Sequence, residues 1–225
     1  MRPVDAATLI ILRDQREVLM GLRSAKHVFV PNNYVFPGGR VDPGDARVPA
    51  PFELNTTARD RLVRSTSPSR ARGIGMAAVR ETFEETGLLL TRPTPAPVNS
   101  RSASWRPIYQ QGVAPALDRL HYFARAITPP GPPRRFDARF FLADARHLQG
   151  TLRGNGELHD LRWVPLEEAA ALPMIGITQV IIELLRRTFA PAAVNRQHDT
   201  ALRQVMDEVM NRELVEHHRP CFSDD

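Results

Sequence analysis

The stretch Arg80-Glu81-Thr82-Phe83-Glu84-Glu85-Thr86-Gly87-Leu88 limits what this chain can fold into more than any other. On an α-helix, residues three and four apart share a face, so Glu81, Glu84 and Glu85 project from one side within about a turn of each other. Met76, Val79 and Phe83 fall at i, i+3 and i+7 and draw an apolar stripe roughly opposite. A helix of this pattern docks its back on a core and holds three mutually repelling acids outward. Gly87 suits the left-handed residue that closes such a helix.

Alone, an ExxEE run on a helix reads as a solvated acidic face tied by an i, i+4 pair, here Arg80 with Glu84. The upstream turn Phe36-Pro37-Gly38-Gly39 changes that reading. Adjacent glycines let backbone approach a ligand or an ion closely. A hard cation such as Mg²⁺ takes oxygen ligands, keeps several waters and completes its shell from substrate phosphates, so carboxylates beside a phosphate-accepting turn form a coherent metal site.

Gly39-Arg-Val-Asp-Pro-Gly-Asp45 followed by Arg80-Glu-Thr-Phe-Glu-Glu-Thr-Gly-Leu88 resembles the Nudix box of the Nudix hydrolases. That box reads Gly, five residues, Glu, seven residues, then Arg-Glu-U-x-Glu-Glu-x-Gly-U with U apolar. Thr82 stands where an apolar residue is usual, Asp45 takes the place of the first Glu, and 34 residues separate it from Arg80. Insertions at this point occur in a subset that includes peroxisomal-type enzymes acting on coenzyme A. Upstream, Leu19-Met20-Gly21-Leu22-Arg23-Ser24 and then Phe36 to Gly39 are similar in register to the motif that precedes the box in that subset. Gly21, Val28 and Asn32 depart from it, standing where the motif has Thr, Arg and Gly.

The resemblance implies an α/β (α+β) Nudix fold, a mixed β-sheet sandwiched between helices. It implies metal-dependent hydrolysis of a diphosphate bond in a nucleoside-diphosphate derivative, with coenzyme A or an acyl-coenzyme A favoured. An ADP-ribose, nucleotide-sugar or dinucleotide pyrophosphatase is the alternative of the same class; a non-catalytic Nudix-fold binding or regulatory module is the alternative of another. Glu81, Glu84 and Glu85, with a carbonyl of Gly38 or Gly39, would hold Mg²⁺ or Mn²⁺. Glu81, Glu85 and Glu157 are the general-base candidates, the last in the loop Gly154-Asn-Gly-Glu157. Arg23, Gly38 and Arg135 are the substrate-binding candidates, and Arg80 would orient Glu84. As an ordinary surface feature, Arg134-Arg135-Phe136-Asp137-Ala138-Arg139 would be a strand with a solvated arginine face.

The remaining chain reads as one domain over 1–225. Of its 225 residues 42% are apolar and 24% charged, ordinary globular material. Ala6–Arg13 and Glu17–Leu22 read as a hairpin, Leu120–Thr128 and Phe136–Ala143 as strands around a Pro-rich tip, and Leu158–Val164 as a last strand. An insertion at about 46–69 carries Thr56 and Thr57 before Ala58–Arg64, which reads as a short capped helix and could enclose substrate. Gln110–Leu117 reads as helical, and extra C-terminal helices are expected over 177–215, with Leu202, Val205, Met206 and Val209 facing the core or a sister subunit in a homodimer. A net charge of +5 favours anionic small molecules. The arginines are spread along the chain without interleaved aromatics, so no nucleic-acid partner is expected. No apolar run approaches a membrane span, and the lone Cys221 fits a reducing, cytoplasmic compartment.

Overall fold

The computed structural model describes residues 2–25, 31–132, 134–189 and, for the backbone alone, 214–217. In chain order these form β1 (Val4–Arg13), β2 (Glu17–Arg23), β3 (Tyr34–Val35), β4 (Gly38–Arg40), α1 (Thr56–Leu62), α2 (Pro68–Thr86), β5 (Leu88–Pro93), α3 (Arg106–Tyr109) and β6 (Val113–Pro115). There follow β7 (His121–Ile127), β8 (Phe136–Asp144), β9 (Leu148–Gly150), β10 (Leu158–Pro165), α4 (Leu166–Ala169), α5 (Gly176–Phe189) and β11 (Leu214–His217).

The apolar run of β1 does not alternate with polar residues because both of its faces are covered. Ala7, Leu9 and Ile11 pack towards α2, whereas Ile10 and Leu12 join the cluster built on α5. The main sheet runs β10-β2-β1-β8-β7-β11, with β3 added on β2 and β4 on β1. β1 and β8 pair in parallel from Val4 opposite Phe136 to Leu12 opposite Asp144, and the neighbouring pairs are antiparallel. A mixed sheet between helices is therefore the architecture, and a small second sheet, β6-β5-β9, flanks it.

Helix α2 is bounded as its sequence dictates. The Ser67 hydroxyl accepts from the Arg70 amide, Pro68 opens the first turn, and Gly87 closes the last with φ of 73°. A side chain at Gly87 would also meet the Thr151 carbonyl, so the position admits glycine alone. Thr82, the polar substitute at an apolar box position, is fully buried and donates its hydroxyl to the Ala78 carbonyl at 2.8 Å. Bonding back along its own helix lets threonine stand in for an apolar residue.

Several expectations need correction. The helix expected over Gln110–Leu117 is a turn followed by β6, because Gly112 turns the chain at φ of 71° and Val113–Pro115 then pairs with Thr91–Pro93. Leu214 and Val215, expected to end a helix, lie in β11, which pairs antiparallel with β7; the rest of that helix, with Leu202 to Val209, falls outside the described residues. The insertion does form a capped helix, but α1 already begins at Thr56 and the cap is Asn55, whose side chain accepts from the Ala58 amide, in place of Thr56 or Thr57. Yet Leu54, Ala58 and Leu62 are buried in the core cluster shared with α2, so the insertion covers the core.

Arg139 is not part of a solvated face. It points to the α2 side of β8, is 1% exposed, and donates to the Asp5 carboxylate at 2.7 Å; Asp137 and Arg125 extend the network. An arginine can occupy a core position only when its charge is paired in this way. Among the described residues no helix is long and apolar enough to cross a membrane.

Candidate active site

A cavity of about 430 Å³ opens on the sheet face opposite α2, between β1, β7, β8 and the start of α5. Its polar end is built by Arg23 from the end of β2, Gly38, Gly39 and Arg40 of β4, Glu81 and Glu85 of α2, and Glu157 from the loop before β10. Five predicted site residues besides Gly38 thus meet: Arg23, Gly39, Glu81, Glu85 and Glu157. The loop is fixed beside β2, since the Ser24 amide donates to the Glu157 carbonyl at 3.0 Å.

Glu85 is 6% exposed, and its Oε2 accepts from the Gly38 amide at 2.8 Å. Burial pushes its carboxyl up to about 8, against the pull of that amide. Glu81 is likewise raised by burial, with Arg80 opposing. Gly39 makes room for it, because a Cβ there would overlap the Glu81 carboxyl. Glu85, buried, and Glu81, partly buried and bonded to Arg80, face one cavity and offer carboxylate oxygens of the kind a hard divalent cation takes. Burial also lowers the Arg23 guanidinium, while Glu85 and Glu157 counter the effect.

The expected trio of acids is divided. Glu84 does not border the cavity; its half-exposed carboxylate is held by Arg80 Nη1 at 3.2 Å. Among the described residues no three His, Cys, Asp or Glu side chains form a metal cage by themselves. Arg80 does more than orient Glu84. Its Nε and Nη2 each bond Asp45 at 3.0 Å, Nη1 bonds Glu81 at 2.7 Å, and Nη2 also reaches the Arg40 carbonyl.

Arg135 does not border the cavity. Its Nε donates to the Thr128 and Pro129 carbonyls, closing the hairpin, and Arg134 is the one that borders the cavity. Arg40 and Arg134 were missed, though both stand next to singled-out residues. Residues 46–69 do not border the cavity. Of the three departures upstream, Val28 lies outside the described residues. Asn32 adopts φ of 58°, the left-handed conformation for which glycine is the usual residue and asparagine a tolerated one. Gly21 is packed against Leu158 and Leu161, which leaves no space for the motif's threonine.

No family model matches the chain. A Nudix hydrolase crystal structure from Alicyclobacillus acidocaldarius superposes with a TM-score of 0.64 at 26% identity, over 86% of this chain and 95% of that one. The chain is thus similar in sequence and fold to Nudix hydrolases. The curated relatives agree: a Caenorhabditis elegans protein carrying the name nudix hydrolase 7 is 28% identical over 173 residues, 72% of this chain and 51% of its own length. A human acyl-coenzyme A diphosphatase is 26% identical over 202 residues, 68% of this chain and 54% of its own. The chain spans about half the length of the curated relatives it matches. Its Nudix box is split by a core-packed insertion, yet both halves reunite through the Asp45–Arg80 contact.

Proposed function

We propose that the protein hydrolyses the diphosphate bond of a nucleoside-diphosphate derivative, with coenzyme A or an acyl-coenzyme A as substrate. The observation that carries this reading is the meeting of Glu81, Glu85 and Glu157 with Arg23, Arg40 and Arg134 around one cavity. Acids for a metal and its water, and forked cations for phosphates, are the two components that diphosphate cleavage needs. The register of Arg23 and Phe36–Gly39, the left-handed Asn32 and the human relative's activity support the coenzyme A assignment.

Glu81 and Glu85, with backbone oxygen of Gly38 or Gly39, would hold Mg²⁺ or Mn²⁺, which when bound neutralises charge on the phosphoryl oxygens and acidifies the attacking water. Arg23, Arg40 and Arg134 grip the phosphates and fix the diphosphate in the cavity. Glu157, at the solvent-facing rim, takes the proton from water as its oxygen bonds to phosphorus and the bridging P–O bond breaks. Cleavage of coenzyme A would yield 4′-phosphopantetheine and adenosine 3′,5′-bisphosphate. Arg80, tied to Asp45, keeps Glu81 in place.

Product chromatography with Mg²⁺ or Mn²⁺ tests the reading on coenzyme A, an acyl-coenzyme A, dephospho-coenzyme A, ADP-ribose, NADH and a nucleotide sugar. Selective cleavage of the coenzyme A compounds is expected. Turnover of ADP-ribose or the sugar alone would keep the chemistry and replace the substrate, and silence across the panel would overturn the enzyme reading.

A further inference from the structure

Strand β10 carries one residue more than its partner. His159 lies opposite Leu22 and Arg162 opposite Met20, so three steps along β10 answer two along β2. The surplus forms a β-bulge, and Asp160 within it adopts φ of 45°, the left-handed conformation that glycine ordinarily fills and aspartate tolerates. Side chains alternate between the faces of a regular strand, so Leu158 and Leu161 would point to opposite sides without the bulge. Instead both pack on Gly21, where a Cβ would meet Leu161 Cδ2 at 2.8 Å and Leu158 Cβ at 3.0 Å. The same shift of phase sets the direction of Glu157, the residue that precedes β10 and borders the cavity.

Tyr34 fastens this bulge. The residue is 6% exposed; its hydroxyl donates to Asp160 Oδ2 and accepts from Arg162 Nη2 at 2.7 Å, and the Arg162 guanidinium lies 4.9 Å from the centre of the same ring. Asp160 and Arg162 are half-exposed, so their direct 3.5 Å pair contributes little without the buried hydroxyl between them. The backbone of Tyr34 meets two other walls of the site: it pairs with Leu22, next to Arg23, and its amide donates to the Pro173 carbonyl at 2.8 Å ahead of α5. We propose that Tyr34 is a positioning residue, which through Asp160 holds the bulge that aims Glu157 into the cavity. The inference rests on the diphosphatase reading for the role of Glu157 as base, and not for the clasp itself. The Ser24 amide anchors the loop at the Glu157 carbonyl, and Tyr34 anchors the chain three residues on, so Glu157 is held between two fixed points. Proton transfer requires the base within hydrogen-bond reach of the attacking water, and freedom at one of these points loosens that reach.

Steady-state kinetics on the best substrate of the panel and amide hydrogen exchange at Ser24, both on the full chain, test this, with melting curves to show that each variant folds. Tyr34→Phe keeps the ring and loses the hydroxyl; Asp160→Gly keeps the left-handed backbone and loses the acceptor. Each should lower kcat about tenfold and leave KM within about twofold. Asp160→Asn retains an acceptor in a residue that tolerates this backbone, and should keep the parent kcat. In a Glu157→Gln background Tyr34→Phe should cost nothing further, because it acts through that carboxylate; a clasp that only stabilised the strand would add its own loss. An additive loss, or a parent kcat in Tyr34→Phe, would overturn the proposal. If Tyr34→Phe does not fold, Asp160→Gly, at an exposed position, carries the same comparison. A parent that turns over nothing on the panel sinks the diphosphatase reading, and exchange then decides alone. Faster exchange of the Ser24 amide in Tyr34→Phe and Asp160→Gly, but not in Asp160→Asn, supports the clasp; unchanged exchange overturns it.

Discussion

Asp45 and Arg80, 35 positions apart in the chain, meet in a two-pronged contact with both nitrogen–oxygen distances at 3.0 Å. Both side chains are nearly excluded from solvent, at 2% and 7% exposure. The contact joins the two halves of the box across the insertion and leaves Arg80 Nη1 free to hold Glu81 and Glu84. A shorter acid than the usual glutamate serves here because the 3₁₀ turn Asp45–Arg47 packs directly on α2.

Removing one member of a buried pair strands the other charge. Asp45→Asn is therefore expected to lower unfolding free energy by about 3 kcal/mol. Urea denaturation reads the change, and a loss below about 1 kcal/mol would place the pair among exposed bridges of little worth.

Glu85→Gln should cut turnover by about 100-fold or more, the order lost with an essential acid–base or ligand group. Its effect on stability has the opposite sign at high pH. Because the folded carboxyl is raised to about 8, the native state holds a proton that the unfolded chain gives up near 4.5. Stability from this group is present below about 4.5 and is lost as pH rises through about 8. Metal-free melting curves should thus show the variant gaining on the parent from pH 5 to pH 9; parallel curves would contradict the buried-acid assignment.

Addition of Mg²⁺ should raise the parent's melting temperature, more so at pH 9 than at pH 5, and leave Glu85→Gln nearly unmoved. A ligand that binds only the native state stabilises it by mass action, and protons compete for the same carboxylate. Equal shifts in parent and variant would separate the metal from Glu85.

Gly39→Ala drives a methyl group into the Glu81 carboxyl. The fold should survive while turnover falls by about 100-fold, the scale reached when a reacting group is misplaced by an ångström. Steady-state kinetics and circular dichroism together check both halves of the statement.

Neighbouring arginines should behave differently. Arg134→Ala is expected to raise KM about tenfold by removing a charged phosphate contact, with stability unchanged. Arg135→Ala should leave KM alone and cost about 1 kcal/mol, because it loses the bonds to the Thr128 and Pro129 carbonyls. Reversed results would put Arg135 back in the site.

The contrast between Arg134 and Arg135 also shows where sequence reading stops. Helix α2 was legible end to end in its box, since its apolar stripe, acids and Gly87 are local signals. Which arginine faces the cavity depends on strand phase, and a shift of one residue exchanges the faces. Glu84 shares a helix face with Glu81 and Glu85, but Arg80 draws it outside the cavity. The burial of Arg139 and the docking of the insertion were invisible because both depend on partners far along the chain, Asp5 and the core side of α2.

The parallel pairing of β1 with β8 has a consequence for how the molecule comes into being. Val4 lies opposite Phe136, so the two central strands can register only once the chain has been made past Phe136, more than 130 residues after β1 begins. Contacts of such sequence separation close slowly, and until then β1 presents an apolar edge with no neighbour on that side. Assembly of the cavity therefore waits on β8, and a nascent chain halted before β8 carries the complete box helix without the strands that form the cavity floor.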